Sequence, residues 1–392
     1  MKNMYRLSFY ISICIFSLIL MIQWIPFNFD FLDPLNQALE DFQLTDLVYK
    51  DFKEENQDTN IVFVNIGFLN RAEIAQQIEN IAKYNPKVIG IDALFGTQKE
   101  PEVDSALSRV LQKYGNNIVM VNAFENYNPD RGKADSIARS MPYFSNYVTQ
   151  GYSNLDDRTL LTIRNFRPFT PVKDTVLTAF AVEIVKKFDI QKVEVLKKRN
   201  NDFETINYKG NFDKFYAVIE AENALDTSLD LSFVKDKIVL FGYLNSDKNA
   251  RDVTDQFFTP LNPKMAGRSL PDMYGIVVHA NIIAMILSEN YINVMSNFTS
   301  IFLAIILCYC NLLFLLYIHW KWNLYYDIIA RIWQILQSIV IYFIIVWLFS
   351  VYRYETDLTL LIVTLALGPD VLEFFMAFYE TWNKNHQINA DS

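Results

Sequence analysis

Between residues 30 and 297 the chain carries one histidine, His279, in the run Gly275-Ile-Val-Val-His-Ala-Asn. An imidazole can serve as general base, metal ligand or packed side chain, and its surroundings decide which. As a base it needs a positioned nucleophile or water, and no Gly-x-Ser-x-Gly elbow or related motif is present. As a zinc ligand it needs further nitrogen or sulfur ligands, but the three cysteines, Cys14, Cys308 and Cys310, all lie in long apolar runs. No catalytic residue, no metal site and no enzyme activity are therefore expected. A cofactor is not expected either, because neither a Gly-rich dinucleotide fingerprint nor a phosphate-cradling Gly-Lys-Ser/Thr motif occurs.

The remaining chemistry is binding. Asp92 ends the apolar run Val-Ile-Gly-Ile-Asp, which reads as a buried strand. Ligands of open α/β sheets sit beyond the carboxyl ends of such strands. The loop from Gly242 to Pro260 leaves another such strand and carries Asp252 and Asp255. Asp92, Asp252, Asp255 and His279 are thus candidate ligand-binding residues lining one crevice. The competing reading is that they cap helices and tie loops, with His279 packed and hydrogen-bonded by one ring nitrogen to the loop carrying Asp252 and Asp255. A buried imidazole without a partner would cost a few kcal/mol.

A second polar set lies in apolar surroundings. Asp370 and Glu373 are three residues apart in Leu-Ala-Leu-Gly-Pro-Asp-Val-Leu-Glu and share a helical face. Carboxylates at membrane depth are functional suspects by default, unless a kink at Pro369 brings them early to the interface. Both readings stay open. Partners expected for buried acids are Asn311, Gln334 and Gln337.

The elements that must position these residues divide between membrane and solvent. Apolar runs at Leu7–Phe29, Phe298–Trp320, Ile332–Tyr352 and Leu358–Tyr379 are long enough to cross a bilayer. The first has too long an apolar core, and no small-x-small site after it, to read as a cleaved signal peptide. The expected layout is an N-terminal membrane helix at 1–29, a domain at 30–297, three membrane helices at 298–380 and a short tail at 381–392. Trp24, Trp320, Trp322 and Trp347 fall near the boundaries as interface anchors. Lys2 and Arg6 precede the first span, and Lys321 and Arg331 flank the loop between the second and third. Basic residues stay on the cytoplasmic side, so both termini are expected in the cytoplasm and the domain outside the plasma (inner) membrane, periplasmic in a Gram-negative cell.

Residues 27–297 hold 29 Lys plus Arg against 37 Asp plus Glu, a net −8. That balance suits neither nucleic acid nor an anionic lipid face. The segment has no cysteine, so it must hold itself together by its core, which a domain of this size can do. Its pattern alternates. Ile-Val-Phe-Val-Asn-Ile-Gly (61–67), Pro-Lys-Val-Ile-Gly-Ile-Asp (86–92) and Asn-Asn-Ile-Val-Met-Val-Asn-Ala-Phe (116–124) read as strands, separated by helical stripes at 71–84 and 103–114. Thr175–Phe188 reads as a helix, Glu204–Gly210 and Phe215–Glu222 as short edge strands, and Asp236–Leu244 as a further buried strand. Residues 33–55 read as a helix leaving the membrane, and Met273–Tyr291 as a strand or turn that becomes a helix. The fold class is an α/β domain, its sheet mainly parallel and flanked by helices, plus four transmembrane α-helices.

The runs VFVNIG, PKVIGIDALF, VDSALSRVLQKYGNNIVMVNAF, GYSNLDDRTLLTIR, KIVLFGY, DQFFTPLN and GIVVHANIIAMIL resemble, in order and spacing, the CHASE domain of type 2. This is an extracytoplasmic sensory module of bacterial receptors. The resemblance covers essentially the whole chain, including the arrangement of one helix, the domain and three closing helices. In relatives an acidic run and a Trp-Pro-Trp-Pro-Arg segment precede the first helix; here Gly67-Phe68-Leu69-Asn70-Arg71 stands in their place. Such receptors usually continue into a kinase, cyclase or phosphatase, whereas only residues 380–392 follow Tyr379. The resemblance thus implies a stand-alone, membrane-anchored receptor-like protein that binds a signal or envelope component. Its conformational change is read by a separate protein partner, and a homo-oligomer is compatible. The alternatives are a structural subunit of an envelope complex, favoured by a large exposed apolar patch, and a membrane enzyme.

Overall fold

The computed structural model describes residues 2–24, 49, 57–125, 136–155, 162–172, 175–245, 255–262 and 270–390. The helix expected over residues 33–55 lies outside them apart from Tyr49, as does Asp252. The chain divides into two compact units, Asn36–Ile292 and the pair of segments Met1–Leu35 and Asn293–Ser392. In chain order the helices used below are α1 (Lys2–Trp24), α2 (Arg71–Ala82), α3 (Pro101–Tyr114), α4 (Phe180–Phe188), α5 (Ile190–Arg199), α6 (Gly275–Ser288), α7 (Asn297–Lys321), α8 (Tyr326–Tyr352) and α9 (Thr359–Ala390). The strands are β1 (Ile61–Asn65), β2 (Val88–Ile91), β3 (Ile118–Glu125), β4 (Ser136–Ala138), β5 (Thr149–Tyr152), β6 (Ala217–Ile219), β7 (Ile238–Gly242), β8 (Gln256–Phe257) and β9 (Met273–Tyr274).

β1, β2 and β7 are buried at every residue, the pattern of strands covered on both faces. They form the middle of a sheet ordered β6, β1, β7, β2, β3. Every pairing in that series is parallel, with Val62 opposite Ala217, Ile61 opposite Ile238, Ile238 opposite Val88, and Ile89 opposite Ile118. The far side of β3 is shared. β5 runs parallel along its first half, and β4 pairs antiparallel at Ala123 to Glu125. The sheet is therefore mixed.

On one face Ile74, Ile78 and Ile81 of α2 and Leu107 and Leu111 of α3 meet Val62, Val64, Ile89 and Ile91 in a common core. Each fully buried aliphatic side chain contributes about 1.5–3 kcal/mol. α4 and α6 cover the other face. At Gly90 α4 comes close to the sheet, since a Cβ there would lie 2.7 Å from both Ile184 Cδ1 of α4 and Leu240 Cδ2 of β7.

The segment at 67–71 has a structural task here. Gly67 takes a positive φ of 49°, which favours glycine. Asn70 then caps α2, its Oδ1 accepting from Ala72 N and Glu73 N, while Glu73 Oε2 accepts from Asn70 N at 2.8 Å. Arg71 pairs with buried Asp104 at 2.5 Å, donates to Thr97 O at 2.7 Å, and lies over the Phe95 and Phe144 rings.

One local expectation is corrected and two further elements appear. Helix α4 begins at Phe180 and not at Thr175, because Thr175–Thr178 pairs antiparallel with Phe169–Val172; threonine and valine suit that pleat better than a helix interior. The charged run after Asp189 forms α5, with Gln191 N bound to Asp189 Oδ1. Asn211-Phe-Asp-Lys-Phe includes one helical turn over Phe212–Phe215.

In the other unit four helices are long and apolar enough to cross a membrane: Asn3–Ile22, Asn297–Lys321, Asn323–Tyr352 and Thr359–Thr381. Leu7, Ile11, Ile15 and Ile19 repeat every fourth residue along α1 and pack with Leu312, Leu315 and Leu372. Gly368 lets α9 approach α7, since a Cβ would lie 3.3 Å from Asn311 Nδ2. α8 begins at Tyr326, six residues before the expected Ile332, which places Arg331 on the helix and not in a loop. α9 runs through Pro369.

Candidate functional site

The carboxyl ends of β2 and β5, the turn before β8 and the first two turns of α6 line a cavity of about 310 Å³. Asp92, Asp255 and His279 all line it, so the structure brings together three of the four expected residues. The fourth, Asp252, lies outside the described residues.

Each side chain has a local reason for its place. Asp92 follows β2 directly, and its N–H donates to Phe241 O of β7 at 2.8 Å. Asp255 has a φ of 56°, a conformation that Asp tolerates better than most side chains. Its carbonyl accepts from Gly275 N at 3.0 Å, where β8 pairs with β9. The φ of Gly275 is not positive. Its role is space: a Cβ would come within 3.2 Å of the Asp255 carboxylate and 3.1 Å of the Phe257 ring. His279 sits one turn further along α6, edge-on to the Phe180 ring with centroids 5.3 Å apart.

The expected partner of His279 is also corrected. The imidazole is hydrogen-bonded by the backbone of Ser153, which follows β5, and not by the loop carrying Asp255. Its Nδ1 has no hydrogen-bond partner among the described residues although the side chain is only 3% exposed. Packing and lining are therefore both true of this residue.

Burial sets the electrostatics. It pushes the Asp92 carboxyl up to about 7, and the negative charge of Asp255 adds to the effect. Asp92 is itself partly accessible where it lines the cavity. Burial also raises Asp255 and lowers His279 to about 4, the Ser153 contact acting in the opposite direction on the imidazole. Next to the site, Asp272 is raised to about 6, first by burial, while it accepts from Thr259 N and Oγ1 and holds the β8–β9 loop.

Sequence reasoning missed the neutral half of the wall: Ser153, Asn154, Leu155 and Phe257. Asn154 is pinned to the end of β3, accepting from Phe124 N at 2.6 Å. The available signal was Gly-Tyr-Ser-Asn, a strand end followed by two polar residues. Among the described residues, no group of three His, Cys, Asp or Glu side chains is placed to hold a metal ion.

The intramembrane set is arranged differently from expectation. Asp370 pairs with Arg331 at 2.6 Å, a partner that placing Arg331 in a loop had hidden. Glu373 is exposed. Asn311 Oδ1 accepts from Trp333 Nε1 and Gln337 Nε2, both at 2.9 Å, and so bonds to neither acid. Gln334 donates to Ala366 O and accepts from Arg331. A largely apolar cavity of about 430 Å³ lies beside Asn311, lined by residues of α7, α8 and α9.

Among known families, the CHASE2 domain matches residues 19–316, from within α1 to within α7. α8 and α9 lie beyond the matched stretch, which is thus shorter than the whole-chain resemblance read from the motifs. No curated protein and no solved structure matches. A match over three quarters of the residues, on a domain whose sheet, helices and apolar segments fall where the motifs placed them, makes this chain a member of the CHASE2 family of sensory extracytoplasmic domains.

Proposed function

We propose that the chain is a membrane-anchored receptor whose α/β domain lies outside the cytoplasmic membrane and takes up a small ligand in the cavity between Asp92, Asp255 and His279. The site binds and does not catalyse, and the resulting change of shape is read by a partner protein. One observation carries this reading: three titratable side chains from separate elements converge on one cavity, with a buried imidazole nitrogen left unpaired. Unpaired buried polar atoms are costly in a fold that needs them only for packing.

A polar cavity of this kind favours reception over a scaffolding role, which would call for a broad apolar docking surface. Along the chain, α6 carries Gly275 and His279 and ends at Ser288, with eight residues between it and the start of α7 at Asn297. A ligand that favours one position of α6 therefore biases the segment leading into the membrane, by no more than its differential affinity for the two states.

The test is a thermal-shift screen of the full chain in lipid nanodiscs against a small-molecule library, repeated with Leu155→Trp to fill the cavity. Compounds that raise Tm in the parent and not in the variant support reception. If every stabilising compound acts equally on both proteins, the cavity is not the binding site.

A further inference from the structure

We infer that the cavity takes a small organic cation, an ammonium group carried on a short apolar body; this deepens the receptor reading and rests on it. The polar groups facing the space are acceptors. Asp92 and Asp255 offer carboxylates to which no described residue donates a hydrogen bond. His279 stands beside them on the wall, a side chain only 3% exposed whose contact with the Ser153 backbone raises its basicity while burial keeps it neutral.

Among the described residues, the wall offers no free donor that would suit an anion. No Lys or Arg lines the space among the described residues. The Asn154 amide is already used at both ends by the backbone of Phe124. An anionic ligand would meet two carboxylates and, among the described residues, no counter-charge. A bare divalent ion would want several oxygen ligands, and no group of three acidic or imidazole side chains is assembled among the described residues. An ammonium needs only acceptors, up to three of them.

The apolar part of the wall supplies the rest. Leu155 and the Phe257 ring border the same space, and a ring face adds cation–π attraction to an organic cation. About 310 Å³ lies at the small end of ligand sites, which run from about 300 to 1,000 Å³. The charged groups facing Asp92 are Asp255, across the cavity, and His279, which stays neutral above pH 5. Binding of a cation requires ionised Asp92, so affinity rises with pH through the neutral range.

Isothermal titration of the full chain in nanodiscs with isoamylamine and 2-phenylethylamine, against isoamyl alcohol, 2-phenylethanol, isovalerate and Ca²⁺, tests the inference. The amines are expected to bind at least ten-fold more tightly than their alcohols at pH 8 and roughly ten-fold more weakly at pH 6. Asp92→Asn should remove the pH dependence, and Asp255→Asn, which leaves the strand end untouched, should weaken the amines alone. If an alcohol, isovalerate or Ca²⁺ binds as well as the amines and Leu155→Trp abolishes it, the cation is wrong and the receptor reading stands. If neither amine binds, the cation is wrong as well. If Leu155→Trp leaves every interaction unchanged, both fail.

Discussion

Asp92 is a carboxyl whose environment favours the protonated form, and that has a sign. Its folded value of about 7 lies above the ordinary 3.8, so the folded protein holds the proton more tightly. Its contribution is fully present below about pH 4 and is lost as pH rises to about 7. His279 acts oppositely: with a folded value near 4 against an ordinary 6.5, its contribution is present above pH 6.5 and lost as pH falls through 4. Asp272 follows the direction of Asp92, but its window closes near pH 6. Between pH 6.5 and 7, Asp92 dominates the slope among these three. Asp92→Asn is expected to stabilise the ligand-free chain at pH 8 by on the order of 2 kcal/mol, discounted for water reaching the cavity. Urea unfolding at pH 5 and pH 8 measures it, and a variant less stable at pH 8 would count against the burial of this group. At this scale the acidic and imidazole residues were legible because strand ends and rare residue types mark themselves. Ser153, Asn154 and Phe257 were not, because β5 joins the sheet beside β3 by a non-local pairing that no local period announces.

Elements explain why those residues hold still. β5 lies against the start of α4 so tightly that a Cβ on Gly151 would come within 2.6 Å of Phe180 Cα and 2.8 Å of Phe180 N. Both are backbone atoms, so strand and helix must separate to admit a methyl group. Gly151→Ala is expected to cost about 2 kcal/mol and to displace Ser153 from His279, weakening any ligand of the cavity more than Gly96→Ala, where the nearest backbone atom is 3.9 Å away. Denaturant melts of the two variants give the comparison. The strands β1, β2, β3 and β7 and the helices α2 and α3 were legible from continuous apolar runs and helical stripes. The pairing of Phe169–Val172 with Thr175–Thr178 was not, since a tetrapeptide with three β-branched residues abutting a helical stripe reads as its first turn. The early start of α8 was missed for a related reason: polar and charged residues at a helix entrance resemble a loop.

For the molecule as a whole, the two units answer to different solvents. The exposed side chains of α8 include Ile332, Ile335, Leu336, Ile339, Phe343 and Trp347, a surface suited to hydrocarbon, where packing and not water exclusion holds helices together. The other unit has apolar residues sealed on both faces of its sheet and no cysteine between residues 30 and 297. A single exposed substitution, Lys198→Cys, is therefore a clean reporter of sidedness. A membrane-impermeant maleimide is expected to label it in intact cells, and labelling that appears only after lysis would reverse the proposed orientation. The division into domain and spans was legible from hydropathy alone, because roughly 20 consecutive apolar residues have few other uses.

Helix α6 is buried at every position from Gly275 to Ile286, and a rod walled in on all sides has no private route to opening. Its amides should exchange with deuterium only when the entire domain comes apart, making this helix a built-in gauge of global stability. Any molecule seated beside His279 would then slow uptake there by the factor it adds to the folded population. A peptide spanning residues 276–286, followed by mass spectrometry, would register occupancy without a label or an assay of activity.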